Sequence, residues 1–200
     1  MCQTLTPIYF WPESIGCLPK GQNLLVIAVL TPQTNLRASA RVQIREALKQ
    51  ALAEWLNCTV DDFTFISELG KPLKFLHPNL EIWLSISHES GLSIAAINRL
   101  GRVGIDLMLI DSAPKGDETY VVATEYFGKN KADEIASLPF ELQKQAFAQS
   151  WTALEARFKC QEQQIVEWHL SKSNSNNFLT QSLALPEGYT GNVVTYADTF

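Results

Sequence analysis

Two carboxylates, a histidine and two lysines stand where their surroundings point to chemistry. Glu155 lies in Trp151-Thr152-Ala153-Leu154-Glu155-Ala156-Arg157-Phe158-Lys159. Read as helix, Phe147, Trp151, Leu154 and Phe158 form an apolar stripe at i, i+4, i+7 and i+11, with Glu155 at its edge. A half-desolvated carboxylate needs a positive partner. Two partners are open: Lys159 one turn on, an i,i+4 pair worth ~0.2–0.5 kcal/mol, or a metal ion shared with a second carboxylate. Asp106 closes the run Gly101-Arg102-Val103-Gly104-Ile105-Asp106, and a carboxylate among such neighbours is seldom buried unless paired or metal-bound. Gly104, on the same face of that strand, leaves room for a ligand to approach the backbone. His88 in Ser87-His88-Glu89 ends an apolar strand, where it either caps a turn or, protonated, donates to a phosphate. Lys71 in Gly70-Lys71-Pro72 is held between two backbone-restricted residues, as a solvated turn lysine or a cation aimed at a ligand.

The elements that must position these residues follow from the hydrophobic pattern. Residues 1–22 carry Pro7, Pro12, Pro19, Gly16 and Gly21 among aromatics, which reads as an irregular arm or short edge strand. Leu24–Leu30 is a continuous apolar run stopped by Thr31-Pro32, hence a buried strand. Thr34 or Asn35 can cap a helix from about Leu36 to Leu56. Short strands are expected at 63–66, 82–86, 92–98 and 103–108, the last with Val103, Ile105 and Leu107 on one face and Gly104, Asp106 and Met108 on the other. Helices follow over about 118–126, 131–137 and 139–160, then strands over 166–170, 178–183 and 192–197. Strands clustered after helices, rather than alternating with them, indicate an α+β fold. The order strand, long helix, strands occurs twice, which divides the chain into an N-terminal half, 1–100, and a C-terminal half, 101–200, each a long helix on a small, mostly antiparallel sheet.

Composition narrows the function classes. A chain of 200 residues that is 46% hydrophobic and 18% charged is globular in composition. A net charge of −5 gives no general attraction to nucleic acid or to anionic membrane. Cys2, Cys17, Cys58 and Cys160 are scattered, without Cys-x-x-Cys spacing or interleaved histidines, which argues against zinc and against a disulfide framework. No secretory signal opens the sequence and no apolar run is long enough to span a bilayer, so a soluble, cytoplasmic protein is expected.

Gly-Lys-Pro, a strand into Ser-His, Gly-Arg-Val-Gly-Ile-Asp, then Trp-Thr-x-x-Glu-Ala-x-x-Lys, in this order, resembles the 4′-phosphopantetheinyl transferases. Within them it looks like the pseudo-dimeric, surfactin-synthetase-activating type, which serves fatty-acid, polyketide and nonribosomal-peptide carrier proteins. The likeness covers about Gly70 to Lys159. It implies that Asp106 and Glu155 hold Mg²⁺ (or Mn²⁺) against the pyrophosphate of coenzyme A, and that Glu155 is also the base for the carrier serine. It implies that Lys71, Ser87, His88 and Lys159 face coenzyme A, with Arg37 and Arg41 as further contacts to the 3′-phosphate. The partner implied is an apo acyl or peptidyl carrier protein, docking around 112–131, where Lys115, Lys129 and Lys131 either meet an acidic carrier or are simply solvated. One chain supplying both halves implies a monomer. The chemistry stands independently of the likeness, because attack of a hydroxyl on a phosphoric anhydride needs charge neutralisation and a base within reach.

Four positions depart from the family pattern. Met108 stands where an acidic residue is common, and a thioether is a poor Mg²⁺ ligand. Leu154 replaces a lysine before the helix glutamate, Phe127-Gly128 with Lys131 replaces a Phe-Ser/Thr start followed by a glutamate, and Glu89 replaces Ser or Thr after Ser-His. Leu154 and Met108 favour a second reading: a weakened member that binds coenzyme A or a carrier without efficient turnover.

Overall fold

Leu24–Leu30 forms strand β2, and its five central residues are buried because both of its faces are covered. In a computed structural model, which describes residues 5–14, 16–32, 37–68, 73–170 and 177–196, Leu25, Ile27 and Val29 point into one core while Val26 and Ala28 point into another. A strand covered on both faces needs no polar alternation, which accounts for the unbroken apolar run. The architecture is α+β.

The first sheet has the order β1 (Tyr9–Phe10), β2, β6 (Leu92–Asn98), β5 (Trp83–Glu89). Only β1 pairs in parallel; β2–β6 and β5–β6 are antiparallel. Helix α1 (Arg37–Leu56) covers one face, burying Ile44, Ala47, Leu48, Ala51 and Leu52 against β2, β5 and β6. A two-stranded ribbon, β3 (Thr64–Ile66) with β4 (Lys74–Leu76), packs Phe63 and Phe75 onto the same core. The expected cap at Thr34 or Asn35 lies outside the described residues.

The second sheet has the order β7 (Val103–Leu109), β9 (Tyr189–Tyr196), β8 (Phe178–Ser182), all antiparallel. Val103, Ile105 and Leu107 face the first sheet and share a core with Val26, Ile94 and Val193. The opposite face carries Gly104, Asp106 and Met108, and α4 (Phe140–Cys160) lies across it. Helices α2 (Asp117–Phe127) and α3 (Lys129–Ala136) form a second layer, closing Phe127, Ile135 and Phe147 into a small core with Trp151 and Leu154 at its margin. A strand followed by a long helix occurs twice: β2 leads to α1 and then to four strands, β3 to β6, and β7 leads through α2 and α3 to α4 and then to β8 and β9. In each sheet the first of these strands pairs with the last, β2 with β6 and β7 with β9.

Three expectations change. Residues 166–170 are not a strand; they run irregularly into a 3₁₀ turn at Trp168–Leu170, where the Trp168 indole covers Gly128 instead of joining a sheet. Strand β4 was not anticipated, since three residues carry too little periodicity. Gly104 opens no approach for a ligand: a Cβ there would stand 1.8 Å from the Ala156 carbonyl oxygen, so its space is taken by α4.

Candidate active site

The two sheets meet edge to edge along β5 and β7, and side chains stitch the seam. Alternation on β5 turns Ser85, Ser87 and Glu89 toward β7. Ser85 Oγ accepts the Ile105 N–H at 3.0 Å, Ser87 Oγ donates to Asp106 Oδ1 at 2.6 Å, and Glu89 Oε2 accepts the Leu109 N–H at a long 3.5 Å. Asp106 is thereby fixed at the seam between the two sheets, only 4% exposed.

Helix α4 brings the remaining charged groups to the same point. Lys159 Nζ lies 2.6 Å from Asp106 Oδ1, 3.3 Å from both Ser87 Oγ and the Ile105 carbonyl oxygen, and 3.8 Å from Glu155 Oε2. Lys159 therefore pairs more closely with Asp106 than with Glu155, its i−4 neighbour. Trp151 Nε1, one turn before Glu155, donates to Glu155 Oε1 at 2.8 Å and orients that carboxylate. The indole N–H at i, i+4 to a glutamate was available in the sequence, where Trp151 counted only as part of the apolar stripe.

Burial pushes the Glu155 carboxyl above its usual range, and the neighbouring Asp106 charge pushes it further; Lys159 and the Trp151 N–H pull it back. Two carboxylates close enough to repel one another create demand for positive charge beyond one ammonium. No group of three His, Cys, Asp or Glu is assembled for a metal among the described residues. Met108 turns into the α2–α4 core and adds no oxygen. The donor set is thus two carboxylates, a poor all-protein cage but a fitting one for an ion that also takes phosphate and water oxygens.

A cleft of about 470 Å³ runs from this cluster along β5 and α1, with Arg41, Arg45, His88 and Lys159 among its lining, together with Glu68 and Glu162. His88 Nδ1 is 2.8 Å from Ser93 Oγ across the β5–β6 hairpin, which sets the ring's orientation at the cleft wall. The cleft thus gathers Arg41, His88 and Lys159. Ser87 is buried on Asp106 instead of lining that wall. Arg45, one helical turn after Arg41, was missed; i, i+4 spacing from Arg41 was the available signal. Lys71 and the Arg37 side chain lie outside the described residues, although Glu68 and Leu73, which bracket Lys71 in sequence, line the cleft.

Other candidate chemistry is weaker. Burial at the C-terminal end of α4, against Val194, pushes the Cys160 thiol up to about 11, leaving it a protonated, packed residue at neutral pH. Lys129 and Lys131 in the expected carrier-docking stretch each pair with a carboxylate of their own helix, Asp133 and Glu134, at 2.7 Å. A buried network at the α4–β9 contact has Asn192 Nδ2 donating to Thr152 Oγ1 at 2.8 Å and Gln149 Nε2 donating to Ser182 Oγ at 2.7 Å. That network holds the helix bearing Glu155 and Lys159 to the sheet bearing Asp106. No helix among the described residues is long and apolar enough to cross a membrane.

No family model matches the chain. Over 117 residues, 58% of this chain, it is 26% identical to a protein of Synechocystis sp. provisionally named a 4′-phosphopantetheinyl transferase. The match spans 46% of that relative, so the chain corresponds to about half its length. The motifs, the convergence of Asp106, Glu155 and Lys159, and this distant homology together support the phosphopantetheinyl transferase superfamily, at the level of the superfamily and no finer.

Proposed function

We propose that this protein transfers the 4′-phosphopantetheine arm of coenzyme A to a serine of an acyl or peptidyl carrier protein, acting as a monomer in the cytoplasm. The observation that carries the reading is the convergence of Asp106, Glu155 and Lys159 at one end of a cleft bearing Arg41, Arg45 and His88. The recurrence of a strand, a long helix and later strands of which the last pairs with the first supports the two-halved type, with Asp106 and Ser87 meeting where the halves join.

Asp106 and Glu155 are the residues that would hold Mg²⁺ or Mn²⁺, which would draw charge from the pyrophosphate when bound. Arg41, Arg45 and His88 bind the anionic end of coenzyme A along the cleft. Lys159 lies where an ammonium can neutralise a phosphate oxygen beside the carboxylates. Glu155, whose carboxyl is raised by burial and by the Asp106 charge, accepts in its ionised form the proton of the incoming serine hydroxyl. The serine oxygen forms a bond to the pantetheine-bearing phosphorus while the anhydride P–O bond breaks, and adenosine 3′,5′-bisphosphate leaves. Trp151 keeps the accepting carboxylate aimed during this transfer.

The second reading, binding without turnover, is favoured by Leu154, which packs beside Trp151 and adds no charge to the site. Incubation with Mg²⁺, coenzyme A and a panel of apo carrier proteins separates the two. Transfer adds the phosphopantetheine mass to at least one carrier. Retention of coenzyme A with no mass gain on any carrier would overturn the enzymatic reading.

A further inference from the structure

Lys159 occupies an unusual position for a substrate-binding lysine. Its ammonium is not extended into the cleft but turned back onto four oxygens: Asp106 Oδ1 at 2.6 Å, Ser87 Oγ and the Ile105 carbonyl at 3.3 Å, and Glu155 Oε2 at 3.8 Å. An aliphatic ammonium has three N–H donors, so the three oxygens within 3.3 Å account for its whole donor capacity and Glu155 adds charge attraction alone. Oxygens from two carboxylates, a hydroxyl and a carbonyl are also the environment that a hard cation seeks. At the same time Lys159 lines the cleft and its side chain is 33% exposed, so its stem has solvent-side freedom that the 6%-exposed Asp106 side chain lacks.

We infer that Lys159 is an internal counter-ion that holds the carboxylate pair in the free protein and must vacate it for a divalent ion to bind. This rests on the proposed metal-binding role of Asp106 and Glu155. The two cations compete for the same oxygens, and like charges at that separation repel. Once displaced, the ammonium can meet a phosphate lying in the cleft that Lys159 already lines, a cleft whose own carboxylates are Glu68 and Glu162. Lys159 then serves two stations in turn, and the exchange couples ion binding to substrate binding. By reciprocity, an anion that draws Lys159 into the cleft raises the affinity of the carboxylates for the ion by the same factor. The device also protects the fold, since the buried Asp106 charge is never left without a partner.

The test is a Mn²⁺ titration of the free protein, without coenzyme A, read by the electron paramagnetic resonance of unbound Mn²⁺. Lys159→Met removes the competitor and is expected to bind Mn²⁺ about tenfold more tightly than the unaltered chain. Asp106→Asn is expected to abolish binding in either background. Equal or weaker Mn²⁺ binding by Lys159→Met would overturn the counter-ion role while leaving the carboxylate site standing. Absence of Mn²⁺ binding by the unaltered chain and by Lys159→Met would overturn both. A second readout needs no variant: labelling of Lys159 by an amine-reactive reagent, quantified by mass spectrometry, should rise when Mg²⁺ is added to the unaltered protein. Unchanged labelling at saturating Mg²⁺ would likewise sink the exchange.

Discussion

Gly104 lies directly beneath the carbonyl of Ala156, close enough that a Cβ would stand 1.8 Å from that oxygen and 2.5 Å from the Cys160 amide nitrogen. Both obstacles are backbone, so no side-chain rotation relieves them. The strand carrying Asp106 and the helix carrying Glu155 and Lys159 can approach this closely only because position 104 has no side chain. Gly104→Ala must push α4 off β7. Overpacking of this kind costs about 1–3 kcal/mol or more, which for a chain of this size lowers Tm by roughly 4–10 °C. Phosphopantetheine transfer should fall with it, since a displacement of about 1 Å costs on the order of 10²-fold in rate. A melting curve and a transfer assay on the same preparation check both parts; unchanged stability would show that the helix does not sit as described.

That contact also marks the boundary of what the amino-acid order reveals. β6 spans Leu92–Asn98 and β2 spans Leu24–Leu30, as their apolar runs and flanking turn residues predict, because burial on both faces leaves a strong local signal. Asp106 and Glu155 were identifiable as charges misplaced in apolar surroundings. Their separation in space was not, since it depends on α4 crossing β7 at Gly104, a contact without local periodicity. Residues 166–170 have strand-like composition, but tertiary packing of Trp168 over Gly128 overrides it. Ser85 and Ser87 carry no sequence mark of their seam role; only the placement of β5 beside β7 gives it to them.

Ser87 offers a way to tell positioning from substrate contact. Its hydroxyl donates to Asp106 at 2.6 Å and also lies 3.3 Å from the Lys159 ammonium. Ser87→Ala removes one of the donors that fix the buried carboxylate, at a cost of about 1–2 kcal/mol in stability. If Ser87 acts through Asp106, kcat and Mn²⁺ affinity fall by about tenfold while KM for coenzyme A stays within about twofold. A rise in KM alone would instead place the hydroxyl on coenzyme A.

Glu155 should make the protein more stable when it is neutral. Its carboxyl is raised chiefly by burial and then by Asp106, so between the unfolded and folded values the native state holds a proton that the unfolded chain has lost. The stabilisation from that proton is full below the unfolded carboxylate range and is lost as pH rises through the raised value. Above that raised value the charged group is therefore a liability, and Glu155→Gln, which keeps an acceptor for Trp151, should there raise Tm by roughly 1–4 °C while abolishing transfer. The gain should close as pH falls toward about 4, near the ordinary glutamate value. Melting curves of both proteins from acid to neutral pH check this, and a Tm difference independent of pH would rule out titration of Glu155 as its origin.

Arg41 tests the cleft independently of the carboxylates. It is exposed on α1, lines the cleft with Arg45 and His88, and belongs to no buried core, so its removal should leave the fold intact. A guanidinium on a solvent-facing phosphate contributes about 1–2 kcal/mol, so Arg41→Ala should raise KM for coenzyme A about tenfold. kcat should change by less than about twofold, because the contact lies away from the reacting phosphorus and is made equally before and during transfer. Added salt should weaken coenzyme A binding to the unaltered chain more than to Arg41→Ala, since the variant has one fewer charge pair to screen. Coenzyme A lacking its 3′-phosphate should be bound equally well by the two proteins if Arg41 serves that group. A persistent tenfold difference with the dephospho compound would move Arg41 onto the pyrophosphate, closer to Lys159 and the carboxylates.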